Sequence, residues 1–213
     1  MRIKTILCYG DSNTWGYIPG SGERYGLHER WTGVLQDLLG EQYNIIEEGL
    51  KSRTTIFPDP EKQFKDGREY LIPCLESHAP LDLVILFLGT NDLKNRYSLS
   101  VAEVAANVSV LIDTVKQSKS GMNNSAPQIL LLAPPPLGKL TEFEDVFRGG
   151  PAKSRKLPHE FQVTAEKLKC PFFNTAEIIS SSNIDGVHFD VSEHRRLGER
   201  IALIVKQILD KQQ

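Results

Sequence analysis

The fold of this chain is decided by one early stretch, Cys8-Tyr9-Gly10-Asp11-Ser12-Asn13-Thr14-Trp15-Gly16. It contains the end of a short apolar run over Thr5–Cys8, which predicts a buried strand bounded by glycine. The polar residues after Gly10, followed by a second glycine, are typical of a sharp turn from a strand into a helix. Ser12 is therefore expected at the carboxyl end of the first strand, the edge where open α/β sheets bind ligands.

The composition is that of an ordinary globular protein. The chain has 213 residues, of which 40% are hydrophobic and 24% are charged, and its formal net charge is -2. A chain of this length is expected to form one domain over residues 1–213 and to bury about 70% of its unfolded surface. Because the sequence contains no basic block, nucleic acid is not an expected partner.

Cysteine usage and hydropathy argue against several other protein classes. Cys8, Cys74 and Cys170 are widely spaced and form no Cys-x-x-Cys pair, so neither a disulfide framework nor a zinc site is expected. Residues 1–4 lead into the first strand without an apolar signal region. The longest apolar run, residues 83–88, is too short to span a bilayer. These features predict a cytoplasmic protein with no membrane partner.

Alternating residue patterns predict five strands and intervening helices. The strands are expected over Thr5–Cys8, Tyr43–Glu47, Leu81–Leu88, Gln128–Ala133 and Phe172–Asn174. Apolar residues at helical spacing predict helices over Trp31–Leu39, Gly67–His78, Val101–Val115 and Glu160–Leu168, and a final helix capped by Ser192. Strands that alternate with helices form right-handed βαβ units. The prediction is a three-layer α/β/α fold with a flavodoxin-like, parallel five-stranded sheet of order 2-1-3-4-5.

Polar clusters follow the carboxyl ends of successive predicted strands. They are Gly10-Asp11-Ser12, Gly49, Gly89-Thr90-Asn91-Asp92, and Asp185 with His188 in the loop after the fifth strand. Because the carboxyl ends of parallel strands lie along one edge, these clusters are expected to converge. Each fragment alone is more often a helix cap or a turn, in which Asp11 and Asp92 would accept backbone hydrogen bonds. Their joint occurrence at strand ends favours a shared site.

These residue types are the ones that a nucleophilic serine requires. A serine hydroxyl becomes nucleophilic when a base takes its proton, and the pKa of histidine suits that role. Asp185 is close enough in sequence to His188 to hold the imidazole in one tautomer. Backbone N–H groups of Ser12 and Gly49, with the side-chain amide of Asn91, would stabilise an oxyanion. The prediction is a serine esterase with Ser12, Asp185 and His188 as its catalytic residues.

The same residues carry a resemblance to a known superfamily. The four signature blocks of the SGNH (GDSL) hydrolases resemble, in order, Gly10-Asp11-Ser12, Gly49, Gly89-Thr90-Asn91-Asp92 and Asp185-Gly186-Val187-His188. The chain also resembles the bacterial arylesterase/acyltransferase branch of this superfamily. The similar segments are Arg30-Trp31-Thr32-Gly33, Glu47-Glu48-Gly49-Leu50, Arg53-Thr54-Thr55 and Pro134-Pro135-Pro136-Leu137. The chain departs from the superfamily at Asn13, which replaces the leucine of the Gly-Asp-Ser-Leu motif.

The resemblance implies an activity and a set of partners. The substrate would be a small ester, hydrolysed through an acyl-enzyme on Ser12, and the acyl group could also pass to an alcohol. Trp15 would line the acyl pocket, with Asp11 and Asn13 also in the substrate pocket. No metal and no cofactor are implied, and the chain would form a homo-oligomer, an octamer by resemblance. The long segments Phe57–Gly67 and Gly138–Pro158 would line a pocket or meet a partner.

Three alternatives use the same residues. The triad would serve a carbohydrate acetylesterase or a lysophospholipase/thioesterase equally well. A small-ligand binding module on the same sheet edge is the non-enzymatic alternative, although no Gly-rich phosphate loop follows the first strand. Asp190 is a rival of Asp185 for the carboxylate position, but it follows His188 too closely for the usual arrangement.

Overall fold

The structure is a computed structural model that describes residues 2–210. Its strands are β1 (Lys4–Gly10), β2 (Tyr43–Gly49), β3 (Leu83–Phe87), β4 (Gln128–Ala133) and β5 (Phe172–Asn174). All neighbouring pairs are parallel, and the sheet order is β2-β1-β3-β4-β5. The predicted order 2-1-3-4-5 is confirmed.

Helices connect the strands. They are α1 (Ser12–Trp15), α2 (Trp31–Leu39), α3 (Gly67–Ser77), α4 (Val101–Gln117), α5 (Gly150–Ser154), α6 (Leu157–Leu168) and α7 (Val191–Asp210). Helix α4 begins with a capping box, in which Ser100 and Glu103 bond to each other's backbone N–H groups. Helix α2 ends at Gly40, whose positive φ of 71° suits the glycine expected there as a C-terminal cap.

The sheet has an apolar core on each face, because side chains of a strand alternate between its two sides. Leu7 and Tyr9 of β1 pack in the cluster that includes residues of α3, α4 and α6. Ile6 and Cys8 of the same strand pack in the second cluster, with residues of α2 and α7. Both faces of the strands are thus covered, as the near-continuous apolar sequence of β3 and β4 predicts. The three-layer α/β/α architecture is confirmed.

Several element boundaries differ from the predictions. Helix α6 begins at Leu157 rather than Glu160, because Pro158 is tolerated in a first turn, where no N–H donor is needed. Helix α7 begins at Val191, so the prediction of Ser192 as its cap is wrong. The carbonyl of Asp190 accepts the first hydrogen bonds of this helix, from the N–H groups of Glu193 and His194. Strand β3 is also shorter than predicted at both ends.

The remaining sequence expectations concern cysteines and membranes. Cys8, Cys74 and Cys170 are free thiols, and the first two are buried. Along residues 2–210, no helix combines the length and the apolar character needed to cross a bilayer.

Candidate active site

The carboxyl ends of β1, β2 and β3 lie side by side. Gly10 is paired with Gly49 on one side and with Phe87 on the other. Ser12 then starts α1, and the carboxylate of Asp11 caps this short helix by accepting the N–H of Asn13 at 2.9 Å. A Cβ atom on Gly10 would lie 2.1 Å from Oγ1 of Thr14. The glycine therefore lets α1 fold tightly onto the strand end and places Ser12 at the sheet edge.

Ser12, His188 and Asp185 form one chain of hydrogen bonds. Nε2 of His188 lies 3.0 Å from Oγ of Ser12, and Nδ1 lies 2.7 Å from Oδ2 of Asp185. The other carboxylate oxygen accepts the backbone N–H groups of Val187 and His188, at 2.8 and 2.9 Å. Asp185 thus fixes both the backbone of the loop 185–188 and the imidazole ring of His188. Since its Nδ1 faces a carboxylate, the imidazole can keep Nε2 unprotonated and accept the serine proton.

Burial and hydrogen bonding act in opposite directions on Asp185. Burial alone would raise the pKa of its carboxyl group, but the hydrogen bonds from His188 hold the pKa below its usual value. The carboxylate therefore stays charged beside the imidazole. Asp190, the rival carboxylate, instead accepts a hydrogen bond from the hydroxyl of Ser182 at 2.7 Å.

Two aromatic rings flank His188, and the sequence patterns did not single out either one. Tyr17 stacks on the imidazole, with ring centroids 3.9 Å apart and planes inclined by 22°. Phe143 meets the same ring edge-on, with a centroid distance of 5.7 Å. Phe143 lies in the segment 138–158, which was expected to line a pocket or meet a partner. The rings restrict the orientation of the imidazole, which is 5% exposed.

Asn91 is oriented by Asp11. Its side-chain amide donates a hydrogen bond to Oδ2 of Asp11 at 3.3 Å, while Oδ1 of Asp11 caps α1. Burial raises the pKa of Asp11 to about 6, against the lowering effect of the Asn13 N–H. Because an amide nitrogen has two hydrogens, the bond to Asp11 leaves one donor of Asn91 for another acceptor.

The loop after β2 is anchored by the residues that follow Ser52. Arg53 donates a hydrogen bond to the carbonyl of Gly10 at 2.9 Å and stacks on the ring of Tyr9. Thr55 donates its N–H to Oδ2 of Asp92 at 3.0 Å and its hydroxyl to the same carboxyl group. Immediately before these anchors Ser52 adopts a φ of 68°, a left-handed conformation that is strained for residues other than glycine.

Ser12 and Ser52 present unused backbone donors. Among the contacts within residues 2–210, neither residue donates its backbone N–H to a hydrogen bond. Ser12 is the first residue of α1, where the N–H has no acceptor in its own helix. Both residues line one cavity together with Asn91 and His188. An oxyanion in this cavity would meet donors from three chain segments.

The cavity beside Ser12 measures about 320 Å³. Its apolar lining comes from Phe143, Val146, Phe147 and Val187. A volume of this size is typical of small-molecule sites, and here the apolar side chains face a larger set of polar and charged ones.

Some of the predicted pocket residues lie outside this cavity. Trp15 is not among its lining residues, and Lys51 and Arg24 instead pack over the indole ring, at 4.5 and 5.2 Å from its centroid. Asp11 and Asn13 are buried behind Ser12, where Asn13 donates to the carbonyl of Val187 at 3.4 Å. Asn13 thereby links α1 to the loop of His188, which is a positioning contact.

Gly49 also lies outside the lining of this cavity. A Cβ atom there would be 2.1 Å from the backbone nitrogen of Trp15, so the glycine permits close packing of α1 against β2. The residues of this region that do reach the cavity are Lys51 and Ser52, and of these Ser52 has the left-handed backbone. A glycine is easily selected from the sequence as a turn residue, whereas a left-handed serine has no sequence signal.

Among residues 2–210, one cluster combines three side chains of metal-ligating types. The ligand atoms of Glu48, Cys74 and His78 lie within 4.8 Å of one another, outside the cavity of Ser12. Glu48 already accepts a hydrogen bond from His78 at 2.9 Å. Burial raises the pKa of the Cys74 thiol to about 12, which opposes formation of the thiolate that a metal would require. The hydrogen bond between Glu48 and His78 joins β2 to the end of α3, which explains why these side chains lie together.

Comparisons with known proteins find a family model that matches most of the chain. The model of the GDSL-like lipase/acylhydrolase family matches residues 8–196. A comparison with curated protein sequences finds no match.

Solved structures are similar over nearly the whole chain. The native aryl esterase of M. smegmatis is 40% identical, with a TM-score of 0.94, and the match covers 97% of this chain and 100% of that one. Est24, a carbohydrate acetylesterase from Sinorhizobium meliloti, is also 40% identical, with a TM-score of 0.93 and coverage of 96% and 99%. A carbohydrate acetylesterase family member from the same organism is 34% identical, with a TM-score of 0.93 and coverage of 97% and 99%.

Proposed function

The chain belongs to the GDSL-like lipase/acylhydrolase family, and from that membership we propose that it hydrolyses small acyl esters through an acyl-enzyme on Ser12. The observation that carries the proposal is the hydrogen-bonded chain from Ser12 through His188 to Asp185, with distances of 3.0 and 2.7 Å. The aryl esterase and carbohydrate acetylesterase neighbours support a carboxylic ester hydrolase that acts on small esters.

The reaction follows from the order of these groups. Oγ of Ser12 attacks the ester carbonyl while Nε2 of His188 takes the hydroxyl proton. The carboxylate of Asp185 stabilises the imidazolium that forms. When the C–O bond of the tetrahedral intermediate breaks, His188 gives this proton to the leaving alcohol. A water molecule then attacks the acyl-enzyme, its proton passes to Nε2, and the same proton returns to Ser12 as the acid leaves.

The oxyanion of each intermediate requires donors. We assign this role to the N–H groups of Ser12 and Ser52 and to the side-chain amide of Asn91. Ser52 takes the place proposed for Gly49 from the sequence, because Ser52 lines the cavity and its N–H has no acceptor within residues 2–210. Each such donor is worth about 3 to 4 kcal/mol of barrier.

A crystal structure of the Ser12 phosphonate adduct tests this assignment. The phosphonyl oxygen is expected within hydrogen-bond distance of the backbone nitrogens of Ser12 and Ser52 and of Nδ2 of Asn91. An oxygen bonded to the nitrogen of Gly49, with Ser52 turned away, would contradict it.

The activity itself is tested by hydrolysis of para-nitrophenyl acetate. Ser12→Ala is expected to lower kcat by about 10⁴-fold or more, since the nucleophile is removed. Ser125→Ala, in the loop before β4, is the matched control and should retain the wild-type rate. A Ser12→Ala protein that turned over the ester at the wild-type rate would exclude the proposed acyl-enzyme.

Esters of acetylated sugars are a second candidate substrate class. The similarity to two carbohydrate acetylesterases supports it, because their match covers nearly the whole chain. Acetate release from a peracetylated xyloside and from phenyl acetate, compared through kcat/KM, separates the two classes. Transfer to alcohols is tested in the same assay by adding an alcohol and measuring the new ester.

Self-association is proposed as well. The resemblance of the sequence to the arylesterase branch supports a homo-oligomer, and so does the long segment Phe57–Gly67, because long segments in compact domains often meet a partner. Light scattering on the purified protein should give a multiple of the chain mass of 23.9 kDa. A monomeric mass would rule the assembly out.

A further inference from the structure

The cavity beside Ser12 carries excess positive charge. Five charged side chains other than the predicted triad line it, and they are Lys51, Glu61, Lys62, Lys94 and Arg96. Arg96 forms ion pairs with Glu61 and with Asp59, so this trio carries a net negative charge that offsets only one of the three lysines. Within the part of the chain that the structure describes, the three lysines form no ion pair.

Lys94 is the unusual member of this group. It is only 7% exposed, and its ammonium group has no hydrogen-bond acceptor among residues 2–210, although Nζ keeps some contact with solvent at the cavity that Lys94 lines. Lysine is almost never this deeply buried without a partner, because its charge loses the solvation that water provides. Burial lowers the pKa of Lys94 to about 8. The neighbouring cations Arg96 and Lys62 act in the same direction, and the carboxylates of Asp59 and Asp11 oppose them. An anionic ligand would offset both effects.

The backbone places Lys94 next to the proposed oxyanion donors. It follows the short 3-10 turn Asn91–Leu93, and its N–H bonds to the carbonyl of Asn91 at 3.3 Å. Its charge also interacts with the carboxyl group of Asp11, which holds the Asn91 amide. A group bound at Lys94 would therefore belong to the same molecule that meets Ser12.

The other two lysines extend the positive charge toward solvent. Lys51 is exposed, and its ammonium group lies over the rings of Trp15 and Tyr17, at 4.5 and 5.8 Å from their centroids. These ring contacts restrict the side chain beside the cavity without removing its charge. Lys62 is exposed and lies close to Asp59, whose carboxylate accepts its backbone N–H at 3.2 Å.

From this charge distribution we infer an anion subsite in the cavity: Lys94, supported by Lys51 and Lys62, binds a carboxylate or similar anionic group of the ester substrate. This inference rests on the proposed esterase function and adds a substrate class to it. The apolar wall formed by Phe143, Val146 and Phe147 would contact the uncharged part of the same ester. The anion belongs either to the acyl group or to the leaving group.

Two pairs of esters test the subsite and identify the charged part. Para-nitrophenyl hemisuccinate and para-nitrophenyl butanoate differ in the charge of the acyl group. Para-acetoxybenzoate and para-acetoxybenzamide differ in the charge of the leaving group. The measurement is kcat/KM for each ester with the wild type and with Lys94→Met, which keeps the length of the side chain without its charge. Lys167→Met, on the exposed face of α6, is the matched control.

Lys94→Met is expected to lower kcat/KM by about tenfold for the anionic ester of one pair, mainly through KM, and to change its neutral partner little. Lys94→Arg should keep the preference for the anionic ester, which also shows that the site tolerates substitution. Lys62→Met and Lys51→Met should have smaller effects of the same sign.

If Lys94→Met changed kcat/KM equally for the anionic and the neutral ester of both pairs, the inference would be overturned. A uniform fall in kcat for every ester would assign Lys94 to stabilisation of the oxyanion, which also contradicts a ground-state anion subsite. Failure of the proposed function gives a different result, in which the wild type hydrolyses neither neutral ester. In that case, binding of succinate and para-hydroxybenzoate, measured by calorimetry with and without Lys94→Met, decides the subsite by itself.

Discussion

The side-chain amide of Asn91 bonds to Oδ2 of Asp11 at 3.3 Å, which joins the end of β3 to the cap of α1. One carboxyl group thus holds two groups of the site in place. Its Oδ1 fixes the helix that presents Ser12, and its Oδ2 directs an amide toward the cavity. Asp11 is a positioning residue in this arrangement.

Asp11→Asn is expected to lower kcat without lowering stability. The substituted amide keeps a carbonyl oxygen for the N–H of Asn13 but places an NH2 group against the amide of Asn91. We expect a fall in kcat of about tenfold to a hundredfold, less than complete loss of an oxyanion donor, with KM changed little. Because burial raises the pKa of Asp11 to about 6, its charged form destabilises the folded state at neutral pH. The neutral asparagine should therefore leave the free energy of unfolding unchanged or higher.

The control for this variant is Asp37→Asn, at a half-exposed carboxylate of α2 that bonds to His28. It should alter neither kcat nor stability. A wild-type kcat of the Asp11→Asn protein would contradict the positioning role of Asp11.

Asp185→Asn is expected to lower kcat by about 10⁴-fold, because an amide no longer selects the imidazole tautomer that accepts the serine proton. The fold should persist, since Oδ1 of the asparagine can still accept the N–H groups of Val187 and His188. Steady-state kinetics together with circular dichroism check both statements. A loss of less than tenfold would mean that another group orients His188.

Gly49→Ala is expected to destabilise the fold by about 1 to 3 kcal/mol. Its Cβ atom would clash with the backbone of α1 at Trp15, and α1 would have to move away from β2. Because that movement displaces Ser12, activity should fall as well. Urea denaturation measures the stability, and an unchanged midpoint would contradict the packing role.

Ser52→Gly is expected to act in the opposite direction. Glycine adopts a φ of 68° without strain, so the free energy of unfolding should rise by up to about 1 kcal/mol. The backbone N–H is retained, so kcat should stay close to the wild-type value. The contrary outcome is a large loss of kcat, which would assign the function to the hydroxyl group of Ser52 instead.

His194 is expected to make stability depend on pH. It is fully buried in α7, and its Nδ1 accepts the N–H of Trp31 at 3.3 Å. Burial lowers its pKa to about 3, from 6.5 in the unfolded chain. Below pH 6.5 the unfolded chain binds a proton that the folded protein does not, so stability decreases as the pH falls toward 3.

The measurement is urea denaturation of the wild type and of His194→Gln between pH 7 and 4. Asp11 and Asp92 oppose this trend, because burial raises the pKa of each to about 6. The difference between the two proteins isolates the histidine. Relative to the variant, the wild type should lose about 1.4 kcal/mol for each pH unit below 6.5. Parallel curves would show that His194 is protonated in the folded protein.

The sequence was sufficient for the sheet and for much of the site. Apolar runs that end in glycine and polar residues predict both the strands and the edge at which Ser12, Asn91 and His188 meet. Convergence at that edge follows from parallel topology alone. This is why residues as distant in sequence as Ser12 and His188 could be placed together before the structure was known.

The remaining features depend on tertiary contacts. Ser52 reaches the cavity only because Arg53 and Thr55 anchor its loop to Gly10 and Asp92. Trp15 was expected in the acyl pocket because it follows the Ser12 motif closely. Its ring instead packs against Lys51 and Arg24, which are contacts that the motif does not predict. Helix α7 begins earlier than predicted because the carbonyl of Asp190, a residue type that is also common before helices, provides the first acceptor, while its carboxylate bonds to Ser182.

Labelling by a fluorophosphonate, followed by intact-mass and fragment mass spectrometry, tests most directly that Ser12 is a nucleophile activated by His188. The wild type should gain one phosphonyl group, located on Ser12. His188→Ala should react far more slowly, and Ser12→Ala should not react. A label on another residue, or labelling of His188→Ala at the wild-type rate, would contradict the proposed mechanism.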